Sequence, residues 1–179
     1  GSRPKRFILK NLNYNSDLLS EDKEELITRK NNYTEADLHP LLSYYIFMYM
    51  RSYSKTINHS TSKKQKYGEW VHPDMVACLF PEELWNSDVY NLSEIMGDSP
   101  ILLMSFEIKR ELSFSNLRAS FFQAVSNSSW AHEGYLVVAN ISDDEEFKEE
   151  LIRLSNSFGI GVIKLDIEDP DASEVVLPA

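Results

Sequence analysis

Two residues of opposite charge stand two apart in Glu107-Ile108-Lys109, at the end of an apolar run that begins at Ile101. Extended backbone sends alternate side chains to opposite faces. A strand over 101–109 therefore presents Ser105, Glu107 and Lys109 together, with Phe106 and Ile108 on the reverse. A carboxylate and an ammonium so placed, where a strand leaves the core, suit metal-assisted phosphodiester hydrolysis. The carboxylate offers hard oxygen to a divalent cation, and the lysine orients an attacking water or balances charge developing on a phosphate. By itself the triplet is weak, arising by chance in a chain of this size at a rate on the order of one in two. An exposed, salt-bridged strand end would explain it equally well.

Other residues add to it. Asp74, in His72-Pro73-Asp74, stands just before an apolar run and offers a second carboxylate from a neighbouring strand. Glu35 opens a core helix and offers a third. After the strand, Asn116, Ser120, Gln123 and Asn127 recur at i, i+4, i+7 and i+11, one stripe of uncharged polar groups along a helix. Such a stripe suits a polar cleft, or else a plain solvated face.

Elements to position these residues follow from the pattern. Ser20 begins an acidic helix over 20–30 that Asn31-Asn32 breaks. Thr34 caps a second helix over 35–53, with Leu38, Leu41, Leu42, Tyr45, Ile46 and Tyr49 at helical spacing; Pro40 argues for a regular start nearer 40 and an irregular first turn. Residues 54–66 read as a loop, 67–80 as one or two strands, and 81–100 as an excursion with a short helix. After the 101–109 strand, Ser113 or Ser115 caps a helix to about 128. Strands over 134–141 and 158–165 flank an acidic amphipathic helix over 143–156, and the segment from Asp166 is expected to be loose. This order predicts an α/β fold with a mixed sheet flanked by helices on both faces. Residues 1–19 are assigned to a tag scar (Gly1-Ser2) and an N-terminal extension, 20–166 to one domain and 167–179 to an acidic tail.

Composition narrows the classes. The 179 residues suffice for one ordinary domain, no apolar stretch is long enough to span a bilayer, and no signal peptide is visible. The lack of an initiator Met suggests an excised domain. Cys78, the single cysteine, excludes an internal disulfide and a cysteine-based zinc site, and reads as a small buried hydrophobe in a cytoplasmic protein. A net charge of −10 opposes nucleic-acid binding at first sight, yet it is unevenly spread. Residues 142–179 hold eleven acids against three bases, whereas 51–66 hold Arg51, Lys55, Lys63, Lys64 and Lys66 with no acid. That basic segment can meet a phosphate backbone, or it is an ordinary solvated loop. The four histidines show no ligand spacing; His72 could touch the site but reads better as structural. Gly159-Ile160-Gly161 is too short for a phosphate cradle, and Tyr67, Trp70 and Trp85 read as packing rather than base-stacking residues.

The ordered set resembles the PD-(D/E)xK, or restriction-endonuclease-like, nuclease superfamily. Pro73-Asp74 and Glu107-Ile108-Lys109 match its motif literally. More narrowly, Tyr67-Gly68-Glu69-Trp70-Val71-His72-Pro73-Asp74, Phe106-Glu107-Ile108-Lys109 and the segment from Asn116 to Ala131 look like the C-terminal domain of HrgA-like restriction-associated proteins. The resemblance spans roughly 35–165. It departs in the long 81–100 insertion and in the acidic net charge.

The resemblance implies a core of helix, three antiparallel strands, helix and returning strand, and cleavage of DNA with Mg²⁺ or Mn²⁺. Asp74, Glu107 and the carbonyl of Ile108 would bind metal, and Lys109 would place the water. Glu35 (or Asp37) and Gln123 would support them. Lys55, Lys63, Lys64 and Lys66, with Asn116, Ser120 and Asn127 from the polar stripe, are the expected nucleic-acid contacts. A winged-helix module upstream and a homodimer cutting both strands are further expected arrangements. Two rivals stand beside this: a nuclease-like module that binds nucleic acid or protein without cutting, and an interaction domain in which the triplet is fortuitous and lies far from Asp74.

Overall fold

The two longest strands among the described residues grow from the apolar runs Ile101–Phe106 and Tyr135–Ala139. In a computed structural model whose described residues are 33–57, 72–80, 86–97 and 101–179, they are β3 (Leu102–Leu112) and β4 (Glu133–Ile141). With β1 (Tyr53–Thr56), β2 (Met75–Leu79), β5 (Ile160–Lys164) and β6 (Glu174–Leu177) they make one sheet in chain order. β1, β2 and β3 are successively antiparallel, β3, β4 and β5 are parallel, and β6 returns antiparallel to β5. Each parallel step needs a crossover; α3 (Leu117–Asn127) and α4 (Glu145–Phe158) supply them. The result is a mixed α/β fold with a multi-stranded sheet flanked by helices.

Alternation along β3 sorts the core. On one face, Leu136, Val138, Ile160 and Val162 pack with Leu117, Phe121 and Ala124 of α3 and Phe147, Leu151 and Leu154 of α4. Glu107 pairs with Leu136 and Lys109 with Val138, so both charges rise from β3 on this α3 side. The other face holds Met75, Ala77, Phe106, Ile108 and Val137, all buried. Helix α1 (Glu35–Tyr49) covers it, and its Ser43 and His39 reach Ser54 and Thr56 of β1 at 2.8 and 3.1 Å. Here the Tyr135 ring stacks on Phe106 with centroids 5.4 Å apart and lies over Gly161, where a Cβ would meet it at 2.5 Å.

Several elements differ from expectation. Helix α1 is regular from Glu35 despite Pro40, because Pro40 is exposed and the carbonyl it leaves unbonded can face water. It stops at Tyr49, not 53. Arg51 then adopts a left-handed conformation (φ 52°) that turns the chain into β1, read from sequence as helix end and loop. β3 continues past Lys109 to Leu112. Helix α3 starts at Leu117 because Asn116, not Ser113 or Ser115, organises its start: its amide accepts from the Ser113 N–H and donates to the Glu111 carbonyl. The expected loose tail instead forms a 3-10 turn, Pro170–Ala172, and strand β6. Asp171 in that turn accepts hydrogen bonds from the Tyr44 and Tyr49 hydroxyls of α1, at 2.8 and 3.1 Å.

Within the excursion, α2 (Ser87–Met96) is capped by Asn86 and Gly97. No helix among the described residues is long and apolar enough to cross a membrane. The expected helix over 20–30 and the 1–19 extension lie outside the described residues.

Candidate active site

Asp74 is the residue before β2, and the register carries it onto β3. Met75 pairs with Phe106, and the Asp74 N–H donates to the Phe106 carbonyl at 3.1 Å. The Asp74 carboxylate also turns toward β3, its Oδ2 accepting the Ile108 N–H at 2.8 Å. On the opposite side the Ile57 N–H donates to the Asp74 carbonyl at 2.9 Å. Asp74 thus ties β1 to β3 at the position between Glu107 and Lys109. Extended backbone points the N–H and C=O of one residue to the same side, so the Ile108 carbonyl also faces the Asp74 side of β3.

Glu107 is 1% exposed, and both its oxygens are engaged. Oε1 accepts from Lys109 Nζ at 2.7 Å and Oε2 accepts from Asn127 Nδ2 at 2.9 Å. Burial, reinforced by the Asp74 charge, pushes the Glu107 carboxyl up to about 7 against the opposing pull of Lys109 and Asn127. For Lys109, burial disfavours the charge, but Glu107, Asp74 and Glu35 outweigh it and hold the ammonium above its ordinary range. Four expected residues (Asp74, Glu107, Lys109 and Glu35) therefore share one electrostatic neighbourhood.

The others are placed as follows. Glu35 is the exposed first residue of α1. Asp37, its alternative, spends its carboxylate on the helix cap, accepting from the N–H and hydroxyl of Thr34 at 2.8 Å each. Gln123 is partly buried on α3, about one turn before Asn127. Ser120 and Asn127, expected as nucleic-acid contacts, are buried on α3, and Asn127 donates to Glu107. Asn116 holds the helix start, and Lys55 is exposed on β1. His72 is partly buried. Lys63, Lys64 and Lys66, like Tyr67, Trp70 and Trp85, lie outside the described residues.

Among the described residues, no three His, Cys, Asp or Glu side chains converge as metal ligands. The donor set that exists is two carboxylates, Asp74 and Glu107, with the Ile108 carbonyl beside them. All are hard oxygens, and this suits Mg²⁺, which keeps several waters and needs only one or two carboxylates. Elsewhere, a hollow lined by Phe114, Leu117, Arg118, Glu146 and Glu150 lies at the opposite end of α3. Its Glu150 is held down to about 2 by hydrogen bonds from Arg153, with Arg118 adding to the effect. That acid is committed to arginine.

No family model, curated protein or solved structure matches this chain.

Proposed function

We propose that the unit is a metal-dependent deoxyribonuclease with a restriction-endonuclease-like arrangement, the catalytic part of a restriction or DNA-defence protein. The observation that carries this reading is the Asp74 Oδ2 bond to the Ile108 N–H. It brings the acid of Pro73-Asp74 against the middle residue of Glu107-Ile108-Lys109, which a fortuitous triplet would not require. Mutual repulsion between Asp74 and Glu107 supports the same reading, since two carboxylates held close form a ready seat for a cation.

A bound Mg²⁺ or Mn²⁺ would supply Lewis acidity toward a phosphodiester. Asp74, Glu107 and the Ile108 carbonyl would hold it. Lys109 stays charged, and would orient a water toward phosphorus or balance charge on the phosphate oxygens. Glu35 stands within electrostatic reach of Lys109, and Gln123 supports the α3 side. A DNA partner, an upstream winged-helix module, a homodimer and a cytoplasmic setting go with this proposal.

The runner-up reading, a nuclease-like module that binds without cutting, is favoured by one observation. Glu107 is already satisfied by Lys109 and Asn127, so a cation must displace or share those bonds. A cleavage assay on plasmid and single-stranded DNA with Mg²⁺ or Mn²⁺ separates the two. Cleavage that falls roughly 100-fold or more in Lys109→Ala is expected. Equal activity in wild type and variant sinks the nuclease assignment.

A further inference from the structure

The face of the sheet that carries Glu107 and Lys109 continues outward, past the reach of α3, onto β2 and β1. Directly opposed residues of antiparallel strands point to the same side. Ser105 pairs with Val76 and Leu103 with Cys78, while Val76 pairs with Lys55 and Cys78 with Tyr53. Tyr53 and Lys55 therefore stand on the Glu107 side, opposite the face that α1 covers. Tyr53 is 62% exposed. Its ring joins two others that are about half exposed, Phe80 at 6.2 Å and Phe47 at 6.0 Å between centroids, into one aromatic strip. Arg51 stands exposed just before β1 and Lys55 within it.

Aromatic rings interleaved with cations are the chemistry that holds an unpaired nucleic-acid strand: bases stack on the rings and phosphates meet the cations. A duplex has its bases stacked on each other and offers none to Tyr53 or Phe80. From Tyr53 to Glu107 the path crosses two strand spacings and four residues of rise, roughly 16 Å, a few nucleotides of extended chain.

We infer that the Phe47–Tyr53–Phe80 strip, with Arg51 and Lys55, binds single-stranded nucleic acid and leads it along the sheet face to Glu107 and Lys109. Two features of the surface select this occupant. The charges flanking the strip are positive in a chain whose net charge is −10, and its Tyr53 and Lys55 stand by register on the same sheet face as Glu107. The inference deepens the nuclease reading and rests on it only for the fate of the bound strand; the binding face stands on its own geometry.

The test is fluorescence anisotropy of a labelled deoxyoligonucleotide of about 12 nucleotides, single-stranded or annealed, with EDTA present so that binding is read without cleavage. A labelled oligoribonucleotide runs in parallel to separate DNA from RNA. Tyr53→Ala and Phe80→Ala are expected to weaken single-strand binding by roughly 5-fold or more each, while Tyr53→Phe retains it. Lys55→Ala should reduce the salt slope by about 0.7. All these side chains are exposed, and unchanged thermal melting verifies that the variants fold.

Unchanged affinity in both alanine variants overturns the inference. So does duplex binding that is equally tight and equally sensitive to Tyr53→Ala. Sedimentation showing self-association that Tyr53→Ala abolishes, with no oligonucleotide bound, also overturns it and assigns the strip to a second copy of the chain. Loss of binding in Tyr53→Ala without any cleavage leaves the strip standing and removes the nuclease reading. Cleavage that depends on Lys109, with normal binding by Tyr53→Ala and Phe80→Ala, does the reverse.

Discussion

The Asp74 carboxylate accepts the Ile108 N–H at 2.8 Å, so an acid from the start of one strand occupies a ladder position on the next, between the two charges of that strand. One side chain thereby serves both the sheet and the electrostatics of the site. Asp74→Asn keeps an oxygen acceptor and removes the charge, and it should leave the melting temperature nearly unchanged while cutting metal-dependent cleavage roughly 100-fold. Asp74→Ala should in addition lose about 1–2 kcal/mol of stability in urea unfolding, because the Ile108 N–H is stranded. Full cleavage activity in Asp74→Asn would show that the charge is not used.

Glu107 makes folding stability depend on pH. Its folded pKa, about 7, lies above the ordinary 4.5, so between those values the folded chain binds more proton than the unfolded one. This contribution is complete below about pH 4.5 and is lost as pH rises through 7, on the order of 3 kcal/mol. Lys109 keeps its proton in both states over this range and adds no slope. Denaturant unfolding from pH 5 to 8 should show the decline, and Glu107→Gln should flatten it. A wild type whose pH dependence matches that of the glutamine variant would contradict the assignment.

Asn127 donates to the Glu107 oxygen that Lys109 leaves, with both partners 1% exposed. Asn127→Ala should cost about 1–3 kcal/mol. The deficit should be larger at pH 8 than at pH 5, since the ionised carboxylate loses more than the neutral acid when a donor is removed. Equal deficits at both pH values would mean that Asn127 acts only as packing.

Cation binding should be linked to the same proton. Occupying a seat on Asp74 and Glu107 requires the Glu107 carboxylate to be ionised, so Mn²⁺ affinity measured by calorimetry should rise between pH 6 and 8 with proton release. Glu107→Gln should abolish the measurable heat. PH-independent binding would place the ion elsewhere.

Gly161 is set by space rather than by its backbone angles. A methyl there meets the Tyr135 ring at 2.5 Å, and that ring is itself stacked on Phe106. Gly161→Ala should destabilise by about 1–3 kcal/mol, read as a lower urea midpoint.

Much of this was legible because the central strands are apolar and long. The alternation along β3 is enough to put Glu107 and Lys109 on one face. What escaped lies at the sheet edges and the helix face. Tyr53-Ser54-Lys55-Thr56 has no apolar alternation because one of its edges needs no burial, and Glu174 to Leu177 was masked by the acids before it. The polar stripe was recognised, but its direction was not. Asn and Ser look alike whether they face water or a buried carboxylate, and only Glu107 beneath α3 decides between the two. Lys109 was expected at a strand exit and stands mid-strand, because Arg110 and Glu111 look like an exit although Leu112 is buried again.

The bonds from Tyr44 and Tyr49 to Asp171 span 127 and 122 positions. During synthesis, α1 emerges before every strand of the sheet, yet the turn that clasps it follows β5. Contacts of such separation form late, and Glu35 rides on the helix they fasten. The helix whose Glu35 charge acts on Lys109 is fastened only when Asp171 is available. In a nascent protein the helix that carries Glu35 therefore stays unclasped until the turn at Pro170–Ala172 has been made.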